Sequence, residues 1–256
     1  SAGPGPGNLY GVIANHLFRI YELQPTPEIR TVLDDAAVYT LNNDEALPYP
    51  DGLHYAGDIL FLLKYADLPD VANPDDYRNH AVDIWNWRLA NTGGGTAEGI
   101  ATAILTGRAN QGYVNGLGHW DVSAYVQAAM ALHAVFPGDG YDSAAADMAE
   151  VLYQDAFVTY AVFDFQDRCK GNDPETDSGR SDFSFYTLGM QGLIKAFGSA
   201  GVHDDAATMT TLRTHLQDCQ YVDGAFSNQY GAATDFNDRS WQSTAYATLT
   251  TADYLA

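Results

Sequence analysis

Four helical stretches of this chain have no charged face. They read "HYAGDILFLLKYA" (54–66), "HWDVSAYVQAAMALHAVF" (119–136), "DFSFYTLGMQGLIKAFG" (182–198) and "SWQSTAYATLTTADYLA" (240–256), apolar or small nearly all the way round. A helix of that kind must be covered on every side. Four others, "PEIRTVLDDAAVYTLNN", "PDDYRNHAVDIWNWRLAN", "YDSAAADMAEVLYQDAF" and "HDDAATMTTLRTHLQD", carry charge along one face and belong half in water. Alternation of the two kinds predicts an inner ring of helices wrapped by an outer ring.

Apolar spacing at helical period predicts helices near 9–24, 27–43, 54–66, 74–90, 96–109, 118–136, 141–158, 182–200, 203–220 and 240–256. Start signals agree: Pro27 followed by Glu28, "NPDD" at 73–76, Asp142 after a Gly-rich turn, and "HDD" at 203–205. Extended pieces such as "GAFS" are too short for a sheet, so the expected class is all-α. The covered helices also repeat one another. Each opens with a polar or small residue and then an aromatic: His54-Tyr55, His119-Trp120, Asp182-Phe183 and Ser240-Trp241, spaced 65, 63 and 58 residues apart. Such self-similarity indicates repeated helical hairpins. A turn-rich loop precedes each aromatic, which puts those loops on one shared rim.

The end of the chain carries a resemblance. "LQDCQYVDGAFS", a loop, and then "SWQSTAYATLTTADYL" is similar to the repeat of the terpenoid cyclase and protein prenyltransferase superfamily, in which a Q-x-x-D-G-aromatic turn precedes an inner helix with a T-A-Y or S-x-A element. The match is best over 216–256 and is pattern only over 47–200. It implies an α/α toroid of five or six hairpins: a Gly/Pro arm at 1–8 and a single toroid domain at 9–256. It does not bring an activity with it. The D-x-D-D acid motif is absent, and "VLDDAA" at 32–37 lies on an outer-type helix; Cys169 and Cys219 are not placed as zinc ligands; no Cys-Gly-Glu-Gln thioester run occurs. Phosphate loops, H-E-x-x-H and G-x-S-x-G are missing too, and "TGGGTAEG" at 92–99 has no strand before it and reads as a linker.

Charge narrows the partners. Lys plus Arg number 12 against 33 Asp plus Glu, a formal net charge of −21, with Lys64, Lys170 and Lys195 the only lysines. That field repels nucleic acid and anionic membranes, and it suits either a saline setting or plain solubility. No apolar run is long enough to span a bilayer, so no membrane insertion is expected. The opening "SAGPGPGN" reads as a mature exported chain or as an arbitrary boundary.

The rim gathers the candidate site. The first turns of the inner helices hold His54, Tyr55, Asp58, His119, Trp120, Asp121, Tyr186, Trp241 and Gln242, with Asp182, Asp238 and Arg239 beside them. Aromatic faces beside carboxylates and an Arg suit a polar ring such as a sugar. Asp121 and Asp182 are the candidate acid–base pair for a glycosidic bond, and Arg239 the holder of an anionic group. His119 and Asp121, two apart on a helix, do not share a face. Asp182 and Ser240 also read as ordinary helix caps, and Trp120 and Trp241 as core. Asp173, Glu175 and Asp177 alternate as calcium ligands do, although Ser178 and Ser184 stand where an EF-hand needs Gly and Glu, so a solvated acidic loop is the competing reading. No cofactor is required; Ca²⁺ is the one candidate. Cys169 and Cys219 fall at the same rim in adjacent hairpins and are expected to form a disulfide, the alternative being two free thiols.

These features combine into an exported or cell-surface, salt-tolerant toroid that binds, and as a hydrolase or lyase processes, a glycan or other polar small molecule. Two rival readings accompany it: a non-catalytic assembly subunit that contacts copies of itself through the 1–8 arm, and an isoprenoid-type enzyme by fold analogy alone.

Overall fold

The computed structural model describes residues 10–43, 53–110, 116–159, 186–218, 220, 224, 226–227 and 239–240. Nine α-helices are found among them: α1 (Tyr10–Leu23), α2 (Pro27–Asn43), α3 (Leu53–Ala66), α4 (Pro74–Asn91), α5 (Ala97–Asn110), α6 (Leu117–Val135), α7 (Tyr141–Tyr153), α8 (Tyr186–Ala200) and α9 (Ala206–Asp218). The described chain is all-α apart from one short pairing. Phe226–Ser227 (β1) and Arg239–Ser240 (β2) meet antiparallel, with Phe226 opposite Ser240 and Ser227 opposite Arg239. "GAFS" thus pairs over two residues, and Ser240, held in that pairing, does not open a helix; residues 241–256 of the expected last helix lie outside the described residues.

Three helix starts, those of α2, α5 and α9, follow their side-chain capping chemistry, whereas Asn73 before α4 makes no side-chain cap. The Thr26 hydroxyl accepts from the Ile29 N–H at 3.3 Å, and Pro27 sits where a missing N–H costs nothing. Thr96 likewise accepts from Gly99 at 3.0 Å at the head of α5. Asp205, the last residue of "HDD", accepts from the Ala207 and Thr208 N–H groups at 3.0 and 3.1 Å, so α9 begins at Ala206 and not at His203. Gly201 ends α8 with a left-handed backbone, φ +63°, its N–H donating to the Phe197 carbonyl at 2.9 Å. Apolar spacing carries α7 to residue 158; its α-geometry stops at Tyr153, and Gln154–Thr159 continue as a π-helical segment with one extra residue per turn.

Packing sorts the helices into two layers. α1 packs on α3, α3 on α6, and α6 on α8, forming one row. Between residues 56 and 66 of α3 only Lys64 is exposed, and residues 188–194 of α8 and 121–126 of α6 are buried without interruption. The half-exposed helices α2, α4, α7 and α9 cover this row from outside. α2 runs antiparallel to α3: Asp34 meets the Tyr65 hydroxyl at 2.8 Å, and Arg30, one turn earlier, reaches the Pro69 carbonyl, one turn later, at 3.2 Å. Trp85 of α4 packs edge-on to Tyr141 of α7 at 5.8 Å and lies 6.4 Å from Tyr125 of α6. Arg88, 1 % exposed, faces that same Tyr125 ring at 5.6 Å.

The row has a direction. A Cβ on Gly189 would stand 2.5 Å from the Gly116 Cα, and one on Gly192 would stand 2.9 Å from the Trp120 Cα. As α8 advances by three residues, its contact on α6 advances by about one turn in the same sense. α6 and α8 therefore run parallel and start at one end.

Candidate functional site

The first turn of α6 is the best-defined part of the expected rim, and it is held by three neighbouring helices. Gly116, φ +85°, precedes the helix, and its N–H donates to the His119 Nδ1 at 3.3 Å. Nδ1 is then the acceptor nitrogen, so the neutral ring carries its proton on Nε2. That Nε2–H donates to the Asp155 carboxylate at 2.7 Å, with the His119 side chain fully buried. Asp155 belongs to the π-helical segment after α7, so this bond ties the head of α6 to that segment. Both imidazole nitrogens are engaged, Nδ1 by the Gly116 N–H at the start of α6 itself and Nε2 by Asp155 of the neighbouring segment, which leaves neither for proton abstraction from a ligand.

Asp121 points elsewhere, as two residues of separation on a helix require. Its Oδ2 accepts from the Arg108 Nε at 2.6 Å, the carboxylate 0 % and the guanidinium 13 % exposed. Arg108 lies near the end of α5, and Gly118, one turn back, packs on the same end of α5, 3.1 Å separating its virtual Cβ from the Leu105 Cδ2. A carboxylate in a low-dielectric site is stable only with such a partner. The expectation that Asp121 faces a substrate as half of an acid–base pair presumes an exposed rim carboxylate; the side chain is instead enclosed in a buried ion pair. Trp120, between them, is half-buried, and the Lys195 ammonium of α8 lies over its ring at 4.6 Å.

Of the remaining expected residues, Asp58 is buried on α3, His54 and Tyr55 fall in the first turn of α3, Tyr186 opens α8, and Arg239 sits in β2 opposite Ser227. Asp182, Asp238, Trp241, Gln242, the Asp173–Glu175–Asp177 trio, and Cys169 and Cys219 lie outside the described residues. No group of three or more His, Cys, Asp or Glu able to hold a metal occurs among the described residues. Among them, too, no helix is long and apolar enough to cross a membrane.

Arg108, Asp155 and Lys195 are site residues that sequence reasoning misses. Arg108 carries the one available signal, a basic residue at the end of the otherwise apolar "AEGIATAILTGRAN", a few residues before "GHWD". Nothing in "VLYQDAF" marks the switch to π geometry. No protein-family model, curated protein or solved structure matches this chain.

Proposed function

We propose that this chain is an α/α toroid of the terpenoid cyclase and prenyltransferase type of repeat, exported and salt-tolerant, that binds a glycan at the rim where its inner helices begin. One observation carries the reading: α6 and α8 are parallel neighbours starting at one end, and the first turn of α6 sets Trp120 there with Lys195 on its ring. A half-buried aromatic ring with the Lys195 ammonium as a hydrogen-bond donor at it supports a sugar ring there, His119 and Asp121 being already engaged with Asp155 and Arg108. The alternation of covered and half-exposed helices along the chain supports a closed ring of hairpins. The reading is for binding. Hydrolysis of a glycosidic bond needs two carboxylates facing it, and Asp121 is turned into its ion pair with Arg108.

A panel of neutral and acidic oligosaccharides, titrated into the whole chain with and without Ca²⁺ and assayed in parallel for cleavage, tests this. Saturable binding to a subset of the panel, weakened in Trp120→Ala, is the expected result. Absence of binding across the panel under both conditions overturns it.

A further inference from the structure

Between α6 and α7 the chain runs Pro137-Gly138-Asp139-Gly140, and all four residues are exposed. Pro137 and Gly138 form the centre of a turn, closed by the Asp139 N–H on the Phe136 carbonyl at 3.4 Å, a long bond, with Gly138 at φ +106°. Gly140 follows at φ +81°, and its carbonyl accepts from the Ala144 N–H at 3.0 Å as α7 begins. The Gly140 N–H itself donates to no group among the described residues. A Cβ built on Gly138 or Gly140 would meet nothing within 4 Å.

An aspartate followed by glycine carries its own electrophile and nucleophile, because the next backbone nitrogen can reach the side-chain carboxyl carbon and close a five-membered imide. A fold suppresses this by hydrogen-bonding that N–H, by placing a side chain on the following residue, or by packing the peptide so that it cannot turn. Asp67 and Asp75 show the suppression: the next N–H groups, those of Leu68 and Asp76, are each bound at 3.0 Å, and both residues carry side chains. None of the three restraints acts on Asp139 and Gly140. The other Asp–Gly pairs of the sequence, at 51–52 and 223–224, lie wholly or partly outside the described residues.

We propose that Asp139–Gly140 is a modification site of this chain, where Asp139 isomerises through a succinimide to isoaspartate. The Gly140 nitrogen bonds to the Asp139 Cγ and gives up its proton, which leaves with the carboxyl hydroxyl as one water. A second water then opens the ring at the main-chain carbonyl, so that Asp139 is linked onward through its side chain. The product has the composition and the charge of the starting chain, and no oxidant or cofactor takes part. The main chain gains one carbon immediately before Tyr141, the 7 % exposed residue whose ring holds α7 edge-on to Trp85 of α4 at 5.8 Å. Isomerisation therefore loosens the start of α7. α6 is 19 residues long, so about 28 Å separates this turn from the head of α6, and the rim around Trp120 is left as it was.

Peptide mapping of the whole chain, aged folded and aged unfolded in urea, tests it, with fragment ions that tell the side-chain linkage from the ordinary one. Isoaspartate is expected at residue 139 of the folded chain, forming at no less than about one tenth of the unfolded chain's rate, the handicap of ordering one residue's backbone. It should form faster at about pH 5 than at about pH 8, since the leaving oxygen departs as water only from a protonated carboxyl. Asp139→Glu keeps the charge but needs a six-membered ring, and should remove the signal at this position. Isoaspartate at residue 139 in the unfolded chain alone overturns the proposal, because the turn then protects the pair. Its absence from both, or an equal signal in Asp139→Glu, overturns it as well.

Discussion

Gly189 of α8 meets Gly116 at the head of α6 backbone to backbone: a Cβ at Gly189 would stand 2.5 Å from the Gly116 Cα and 3.3 Å from its carbonyl oxygen. No flexible side chain is available to give way. Gly189→Ala must push α8 off α6, and overpacking of this kind costs about 1–3 kcal/mol, here towards the upper end because the obstacle is backbone. Gly107 of α5 provides the contrast, since a Cβ there would meet nothing within 4 Å. Gly107→Ala is expected to stabilise by about 0.5–1 kcal/mol through helix propensity. Urea denaturation of the two variants should therefore shift the midpoint in opposite directions; a shift of the same sign in both contradicts the close approach.

The Arg108–Asp121 pair makes an asymmetric prediction. Asp121 is 0 % and Arg108 13 % exposed, so the carboxylate has no route to water and the guanidinium has some. Arg108→Met, which takes the cation from a buried anion, is expected to cost on the order of 3–5 kcal/mol. Asp121→Asn keeps an acceptor for Arg108 and should cost clearly less. Equilibrium unfolding gives both values. Equal and small losses would mean that the pair is solvated in solution and would restore Asp121 as an accessible rim carboxylate.

Much of this was legible in the residues, and the part that was not shares one cause. Helical period and caps placed α2 at 27–43 and α3, α4, α5 and α6 to within a residue or so, because Pro27 and "NPDD" act locally and the apolar period carries the rest. The two-layer order was legible because "HWDVSAYVQAAMALHAVF" has no side to give to water. The separate roles of His119 and Asp121 follow from their spacing, since residues two apart point to different neighbours. Which neighbours they find is not local: Arg108 is 13 and Asp155 is 36 residues away. Amphipathic period tells which face of a helix is buried and is silent on which helix covers it.

Acid sensitivity should be traceable to Glu150. Its carboxyl is held below the ordinary 4.5 first by the hydrogen bond from Gln154, 2.7 Å away, and then by His203 at 2.6 Å. His203 is in turn stacked on Tyr153, ring centroids 3.8 Å apart and 5° from parallel. A carboxyl with a lowered folded pKa stabilises above its unfolded value, and that contribution is lost as pH falls through the folded one. Glu150→Gln should leave the pH dependence of the melting temperature flatter below about pH 4.5 and alter it little in the neutral range. Glu150 is about half exposed, so the effect is small and salt-sensitive. An unchanged acid limb in Glu150→Gln would mean that the His203 contact does not persist in solution.

The disulfide expected between Cys169 and Cys219 rests on the order of hairpins alone. If both cysteines lie at one rim in adjacent hairpins, their Cα atoms fall within reach of the roughly 4.4–6.8 Å that a bridge needs. Closing a loop of about 50 residues would stabilise by on the order of 4 kcal/mol through the unfolded chain. Thiol titration of the denatured, unreduced protein is expected to find no free thiol. Two free thiols remove the bridge and weaken the case for export.

His119 and Asp155 tie the head of α6 to the π-helical segment after α7, and their coupling should be measurable. Replacing His119 by Ala removes two contacts, the one received from Gly116 N–H and the one given to Asp155. Replacing Asp155 by Ala removes only the second. The double variant should therefore be little worse than His119→Ala alone, with a coupling of about 1.5–3 kcal/mol, the range for a hydrogen bond to a charged group in a shielded site. The comparison also separates two origins of the π geometry. If the widened turn exists to deliver Asp155, then Asp155→Ala and His119→Ala should each let residues 154–159 relax, seen as faster amide exchange along Gln154–Thr159 in both. If exchange there is unchanged while the coupling is intact, the π turn is fixed by the packing of Phe157 on Phe197, rings 6.3 Å apart, and the carboxylate uses a geometry that the core has already set.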